Sequence, residues 1–224
     1  ATLRTNADIA FGVGSSLTST GGSIDILADF DGNAAGILTL GDSAIIGAGS
    51  TGAILLQAHD IEFAKDTAIA GTGSLTIRAS TTGRNIVIGT APAAGALHID
   101  AGEFVRLQNG HSSITFGSAA MTGDLTIGAG ITLLDPTTVT MMVGGGGEVF
   151  IQNGLAGSGN ASLTINGSGS TTHLAGNVSM PGNIVIDDTI IVTGDTTITT
   201  TAGGNIHLGN NGVISDPTVW TVNG

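Results

Sequence analysis

The chain has 224 residues, room for one large domain or one continuous array, and 41% of them are hydrophobic, which excludes a disordered chain. Aromatics are only 3% and charged residues 10%, so any core must be built from Ile, Val, Leu and Ala in many short layers. The net charge is −12, and Lys65, Arg4, Arg78, Arg84 and Arg106 are the sole cations, too scattered to grip a phosphate backbone or an anionic membrane surface.

In chain order, short apolar bursts with period-two alternation recur between Gly, Asn, Asp and Ser residues. They fall at 22–27 (GSIDIL), 36–40, 52–56, 60–63, 73–78 (GSLTIR), 84–89 and 96–100, then at 103–107 (EFVRL), 113–117, 123–128, 148–152 and 162–166. The last group is 182–187, 189–193, 196–200, 204–208 (GNIHL) and 218–222 (TVWTV). Such alternation between turn residues predicts strands, and their spacing of about 7 to 12 residues is too short for intervening helices. One window, 55–68, also fits a helix, but its apolar residues fit strands at Ile54–Leu56 and Ile61–Phe63, in keeping with its neighbours. The period assigns faces: Leu125, Ile127, Ile206 and Leu208 point inward. Thr126, His207, His98, Asp25, Glu62, Arg78 and Arg106 point outward.

A sandwich of hairpins or a propeller would carry more aromatics than this. The expected fold is all-β: a right-handed parallel β-helix of about nine coils, one continuous solenoid over 1–224 and on the order of 40 Å long at the spacing of adjacent strands. The segment GDLTIGAGITLLDPTTVT (123–140) aligns without a gap on GNIHLGNNGVISDPTVWT (204–221), a repeated module as a solenoid tolerates. Asp135-Pro136 and Asp216-Pro217 recur within it and are expected to start turns. The Gly144–Gly147 run reads as a wide loop.

With no Cys, thiol chemistry and Cys-based zinc sites are excluded. No apolar run approaches the 18 or so residues of a membrane span. The first residue is Ala, and the chain reads as a processed product or a piece of something longer. For metals, Asp29, Asp31 and Asn33 have the spacing that begins a calcium loop, but Ala34 and Leu40 stand where that loop needs Gly and a bidentate acid, so they make a weak calcium candidate beside a plain turn. No other cofactor is expected. Asp187-Asp188 is the only adjacent acid pair, the position to test if the chain were a β-helical polysaccharide lyase or hydrolase. His59, His98, His111, His173 and His207 show no short metal spacing. Outward Thr-x-Thr at 197–199 is too irregular for an ice-binding ladder.

The texture of 21–61, 83–102 and 182–209 resembles the filamentous haemagglutinin-like repeats of large bacterial exoproteins, many of them secreted by the two-partner route. That resemblance implies a β-helix exported to the cell surface or medium, with a role in adhesion, biofilm matrix or filaments and no catalytic residues in the shaft. The two ends, ATLRTNADIAFG and TVWTVNG, lack the pattern of a capping helix, and an open strand edge invites strand addition. Ala1, Leu3, Val219, Trp220 and Val222 are therefore the expected self-assembly residues. The partners would be further copies stacked head to tail or flanking repeats of a longer chain, with host or matrix glycans beyond them.

Overall fold

A computed structural model of the chain describes residues 1–89, 94–141, 145–167, 169–209, 213–215 and 220–223, with only the backbone at 213–215 and 220. Nine strands stack in sequence order into one long parallel sheet. They are Thr2–Arg4, Ile24–Leu27, Ile54–Ala58, Ser74–Ala79, Ser113–Gly117, Thr137–Thr140, Leu163–Asn166, Ile184–Ile186 and Ile206–Leu208. Between each and the next the chain makes a circuit through two further faces, so the molecule is a parallel β-helix of nine coils.

The alternation read from the sequence sets the register. Leu3, Ile26, Leu56, Ile77, Phe116, Val139, Ile165, Ile186 and Leu208 are consecutive ladder partners and form one inward column. The adjacent outward column runs Asp25, Leu55, Thr76, Thr115, Thr138, Thr164, Val185 and His207. Because side chains alternate with period two, a slip of one residue would exchange these columns, and that penalty fixes the stack. From Ile26 to Leu208 the inward residues join a single apolar core with Leu38, Leu40, Ile88, Ile127 and Ile151 from the second face.

The other two faces are each interrupted. The second carries a three-stranded sheet, Ile9–Phe11, Ile37–Leu40 and Asp60–Phe63, and then a seven-stranded one. The latter runs Ala96–Ile99, Asn85–Ile88, Leu125–Ile127, Glu148–Gln152, Thr171–Ala175, Thr189–Val192 and Val213–Ser215. Its first two members stand in reversed chain order: the chain reaches Asn85–Ile88 and then steps back to lay Ala96–Ile99 alongside it, nearer the first coils. The third face has Ser16–Leu17, Ile45–Ile46 and Ala68–Ile69, then Thr132–Leu133, Leu155–Gly157, Val178–Met180, Thr196–Thr200 and Trp220–Asn223.

One expectation is corrected here. Residues 103–107 are not a strand: Ala101–Phe104 is a short helix with Val105 as its C-cap, and only Leu107 reaches the third face, as a single bridge to Ile69. Asp100 and Glu103 form a reciprocal capping box that starts this turn, and it overrides the weak alternation that follows. Asp135-Pro136 follows the strand Thr132–Leu133 and lies at the bend before Thr137–Thr140, where the Pro136 carbonyl accepts the Ile114 N–H at 2.7 Å. The two copies of the repeated segment fall on different faces: Leu125–Ile127 lies in the second face and the aligned Ile206–Leu208 in the long sheet. Asp216-Pro217 and part of the Gly144–Gly147 run lie outside the described residues.

Candidate functional site

The interruption of the second face concentrates the charged side chains. Between Asp60–Phe63 and Ala96–Ile99 the backbone ladder gives way to carboxylates. Asp60 accepts the N–H of His98 at 3.0 Å and of Ile61 at 2.9 Å through one oxygen. Glu103 accepts the Phe63 N–H at 2.9 Å with one oxygen and the Asp100 N–H at 2.9 Å with the other. Arg84 crosses from the opposite side to donate to the Ala96 carbonyl at 2.7 Å. The seam opens as a groove of about 520 Å³ lined by Asp60, Glu62, Arg84, His98, Asp100 and Glu103. Burial holds the Glu103 carboxyl above its usual range, against the pull of its two backbone donors. Its two oxygens are already committed to N–H groups, so it serves the fold as an acceptor. Glu62 and Asp100 are the exposed acids of the groove, and Asp100 accepts the Glu103 N–H at 2.7 Å.

Sequence reasoning missed Asp60, Arg84, Asp100 and Glu103 as a group. Asp100-x-x-Glu103 has capping-box spacing and would have located the helix. The meeting with Asp60 and Arg84 depends on coil register and leaves no mark in local sequence.

Asp29, the first residue of the calcium candidate, is fully buried at positive φ. Its carboxylate accepts the Asn33 N–H at 3.0 Å, the Ala34 N–H at 3.1 Å and the Ser80 hydroxyl. Burial alone would raise its pKa, but the Ser80 hydroxyl and the N–H groups of Ala35, Ala34 and Asn33 bring it below the ordinary value. Asp31 is exposed and accepts the Asn33 side-chain amide at 3.1 Å. The three residues thus tie a turn together, with Asp29 turned inward and its donors supplied by the protein. Among the described residues no group of three His, Asp or Glu side chains is placed to hold a metal ion.

Asp187 and Asp188 do not make a surface pair. Asp187 is half-exposed, while Asp188 turns into the corner between two faces, 1% exposed, where one oxygen accepts the Thr172 hydroxyl at 2.8 Å. Its other oxygen and the hydroxyl of Ser170, itself 5% exposed, have no hydrogen-bond partner among the described residues. Burial pushes the Asp188 carboxyl up, the Thr172 hydroxyl pulls the other way and the charge of Asp187 adds to the rise.

The histidines are dispersed. His111 is buried, with its ring nitrogens 3.3 Å from the Gly73 carbonyl and 3.4 Å from that of Ile69, and its backbone N–H is held by the buried Asp135. His173 stacks on Phe150 at 4.6 Å and meets Glu148 at 3.1 Å on the outward side of the second face. His59 is half-buried, and burial lowers its pKa. His207 is exposed.

The first coil presents its edge openly. Thr2–Arg4, Ile9–Phe11 and Ser16–Leu17 are each the outermost strand of a sheet. Leu3, the foot of the inward column, is 40% exposed, and Ala1 is exposed while its amino group donates to the Ser23 carbonyl. At the other end Trp220–Asn223 is the outermost strand of its sheet and Val222 is exposed. Trp220 is placed there by its backbone, and Val219 lies outside the described residues. The one helix among the described residues sits mid-chain and covers neither edge.

No protein-family model, curated protein or solved structure matches the chain.

Proposed function

We propose that the chain is a section of an extracellular structural shaft, of a fibre or a cell-surface adhesin, on whose end coils a further coil seats. That coil comes from a second copy or from flanking repeats. The carrying observation is the inward column together with the first coil: the core runs from Ile26 through Leu208, and on the outermost strand the next residue in the column's register, Leu3, is left 40% exposed. An added strand would pair the free edge of Thr2–Arg4 and cover Leu3. The outward column of Thr76, Thr115, Thr138 and Thr164 suits a shaft, with short hydroxyls that solvate the face without building a catalytic centre. The repeat texture noted above agrees with export to the cell surface or matrix. Electron microscopy and sedimentation of the purified chain over a wide concentration range test self-stacking. Fibres or end-to-end oligomers are expected, shortened by Leu3→Lys; a stable monomer at high concentration would reject it.

A second reading, a polysaccharide lyase or hydrolase, draws on the seam groove with its acids, Arg84 and His98. Glu62 would have to act there, since Asp60, Asp100 and Glu103 are occupied by backbone N–H groups. Release of reducing ends or unsaturated products from acidic and neutral polysaccharides, lost in Glu62→Gln, would establish it. The shaft reading expects none.

A further inference from the structure

Arg78 stands apart from the other cations of this anionic chain. It projects outward from Ser74–Ala79, and its Nε donates to the side-chain oxygen of Gln57, its ladder partner one coil below, at 2.8 Å. Gln57 is 8% exposed and so holds the plane of the guanidinium. The two terminal nitrogens take no hydrogen bond or ion pair from the described residues. Directly above, where the next coil would place a side chain over Arg78, the chain has Gly117: Ile77 pairs with Phe116, and Gly117 follows. Gly117 has φ +87°, and a Cβ there would strike the Thr140 carbonyl, so the position stays bare.

The result is a corner pocket of about 160 Å³, lined by Arg78, the hydroxyl residues Ser80, Thr81, Thr82 and Ser118, and an apolar wall that includes Met121. No carboxylate lines it. Asp29 accepts the Ser80 hydroxyl from behind, is fully buried, and is turned to its own N–H donors. The Ser80 proton is thereby committed, and its oxygen is left to accept from a ligand. A planar fork of donors matches a carboxylate in two-point geometry, which an ammonium cannot reproduce. The surrounding hydroxyls match the ring hydroxyls of a sugar, and the Met121 side suits its C–H face.

We propose that this pocket binds the carboxylate of an acidic sugar residue, with Arg78 as the anion clamp and Gln57 as the residue that positions it. The site belongs to the side of the rod, and its occupancy does not depend on end-to-end stacking or on any catalysis.

The test is a titration of the purified chain with glucuronate, followed by NMR shifts or calorimetry, with glucose and acetate as parallel arms at fixed ionic strength. Glucuronate is expected to bind at one site and more tightly than either. Arg78→Gln should weaken it about tenfold or more, since a charge-assisted two-point contact is lost. Arg78→Lys should fall between the two, because charge remains and the fork does not. Gln57→Ala, which keeps the cation and frees its plane, should weaken binding by a smaller factor. Circular dichroism of each variant separates lost binding from lost fold, and Arg78→Lys carries the test if Arg78→Gln does not fold. Equal binding of glucose would show that charge is not read. Equal binding of acetate would show that the sugar is not, and unchanged affinity in the Arg78 variants would place the ligand elsewhere; each overturns the proposal.

Discussion

The long sheet and the second face are built from the same kind of short alternating strand, yet one runs unbroken through nine coils and the other breaks after its third strand. On the long sheet every rung offers an apolar residue to the column beneath, and the backbone ladder follows. On the second face the circuit through 80–112 carries an extra strand and a helical turn, so Ala96–Ile99 meets Asp60–Phe63 with no ladder between them. Asp60 and Glu103 there take the place of backbone carbonyls. Continuity in this fold is thus a property of side-chain stacking, and polar groups enter where the stacking is interrupted.

The strongest test of that contrast is a truncation in the column. Ile77→Ala removes a fully buried side chain between Leu56 and Phe116 and should cost about 2–5 kcal/mol, read by denaturant unfolding. Hydrogen exchange should show the loss spreading to neighbouring coils, because each inward residue is packed on both sides. A loss confined to one coil would mean that the coils are stabilised separately.

Glu103→Ala attacks the seam instead. It leaves the Phe63 and Asp100 N–H groups without their acceptor and removes half of the capping box, at about 1–3 kcal/mol. The expected signature is local: faster exchange at Phe63 and Asp100, with protection at Ile77 and Ile165 kept. Equal exchange increases on the long sheet would show that the seam is mechanically part of the main stack.

Much of this was legible in the sequence, and the limit has a physical form. Alternation over four or more residues marks strands such as Ile37–Leu40 and Leu163–Asn166, and their even spacing gives the solenoid. Two-residue strands such as Ser16–Leu17, Ile45–Ile46 and Ala68–Ile69 carry no measurable period and went unread. The meetings of Arg78 with Gln57 and of Glu103 with Phe63 span 21 and 40 residues. They are set by coil length, which varies along the chain, so spacing alone does not place them. Asp29 and Asp31 read as possible ligands because spacing says nothing of direction; in the fold Asp29 turns inward to its own turn.

The smallest effect should come from the corner at Asp188, and its sign is the informative part. Residues 107–224 contain no Lys or Arg, so no such side chain from that half can neutralise the buried carboxylate, and one of its oxygens lacks a partner among the described residues. Its pKa is raised in the folded chain, so the stability this site contributes is fully present below the unfolded pKa and is lost as pH rises through the folded one. Asp188→Asn keeps an oxygen for the Thr172 hydroxyl and brings no charge. At neutral pH it should therefore be more stable than the parent chain by about 1 kcal/mol, or about 2–4 °C in melting temperature. The gain should shrink as pH falls and the parent carboxyl takes up its proton. A series of melts from neutral to acidic pH reads both. If Asp188→Asn instead weakens the chain at neutral pH, the parent carboxylate is ionised and held by a counter-charge from outside the protein. In that case the polar corner, like the seam, is a place where broken stacking admits a charge, and the contrast with the apolar column becomes sharper.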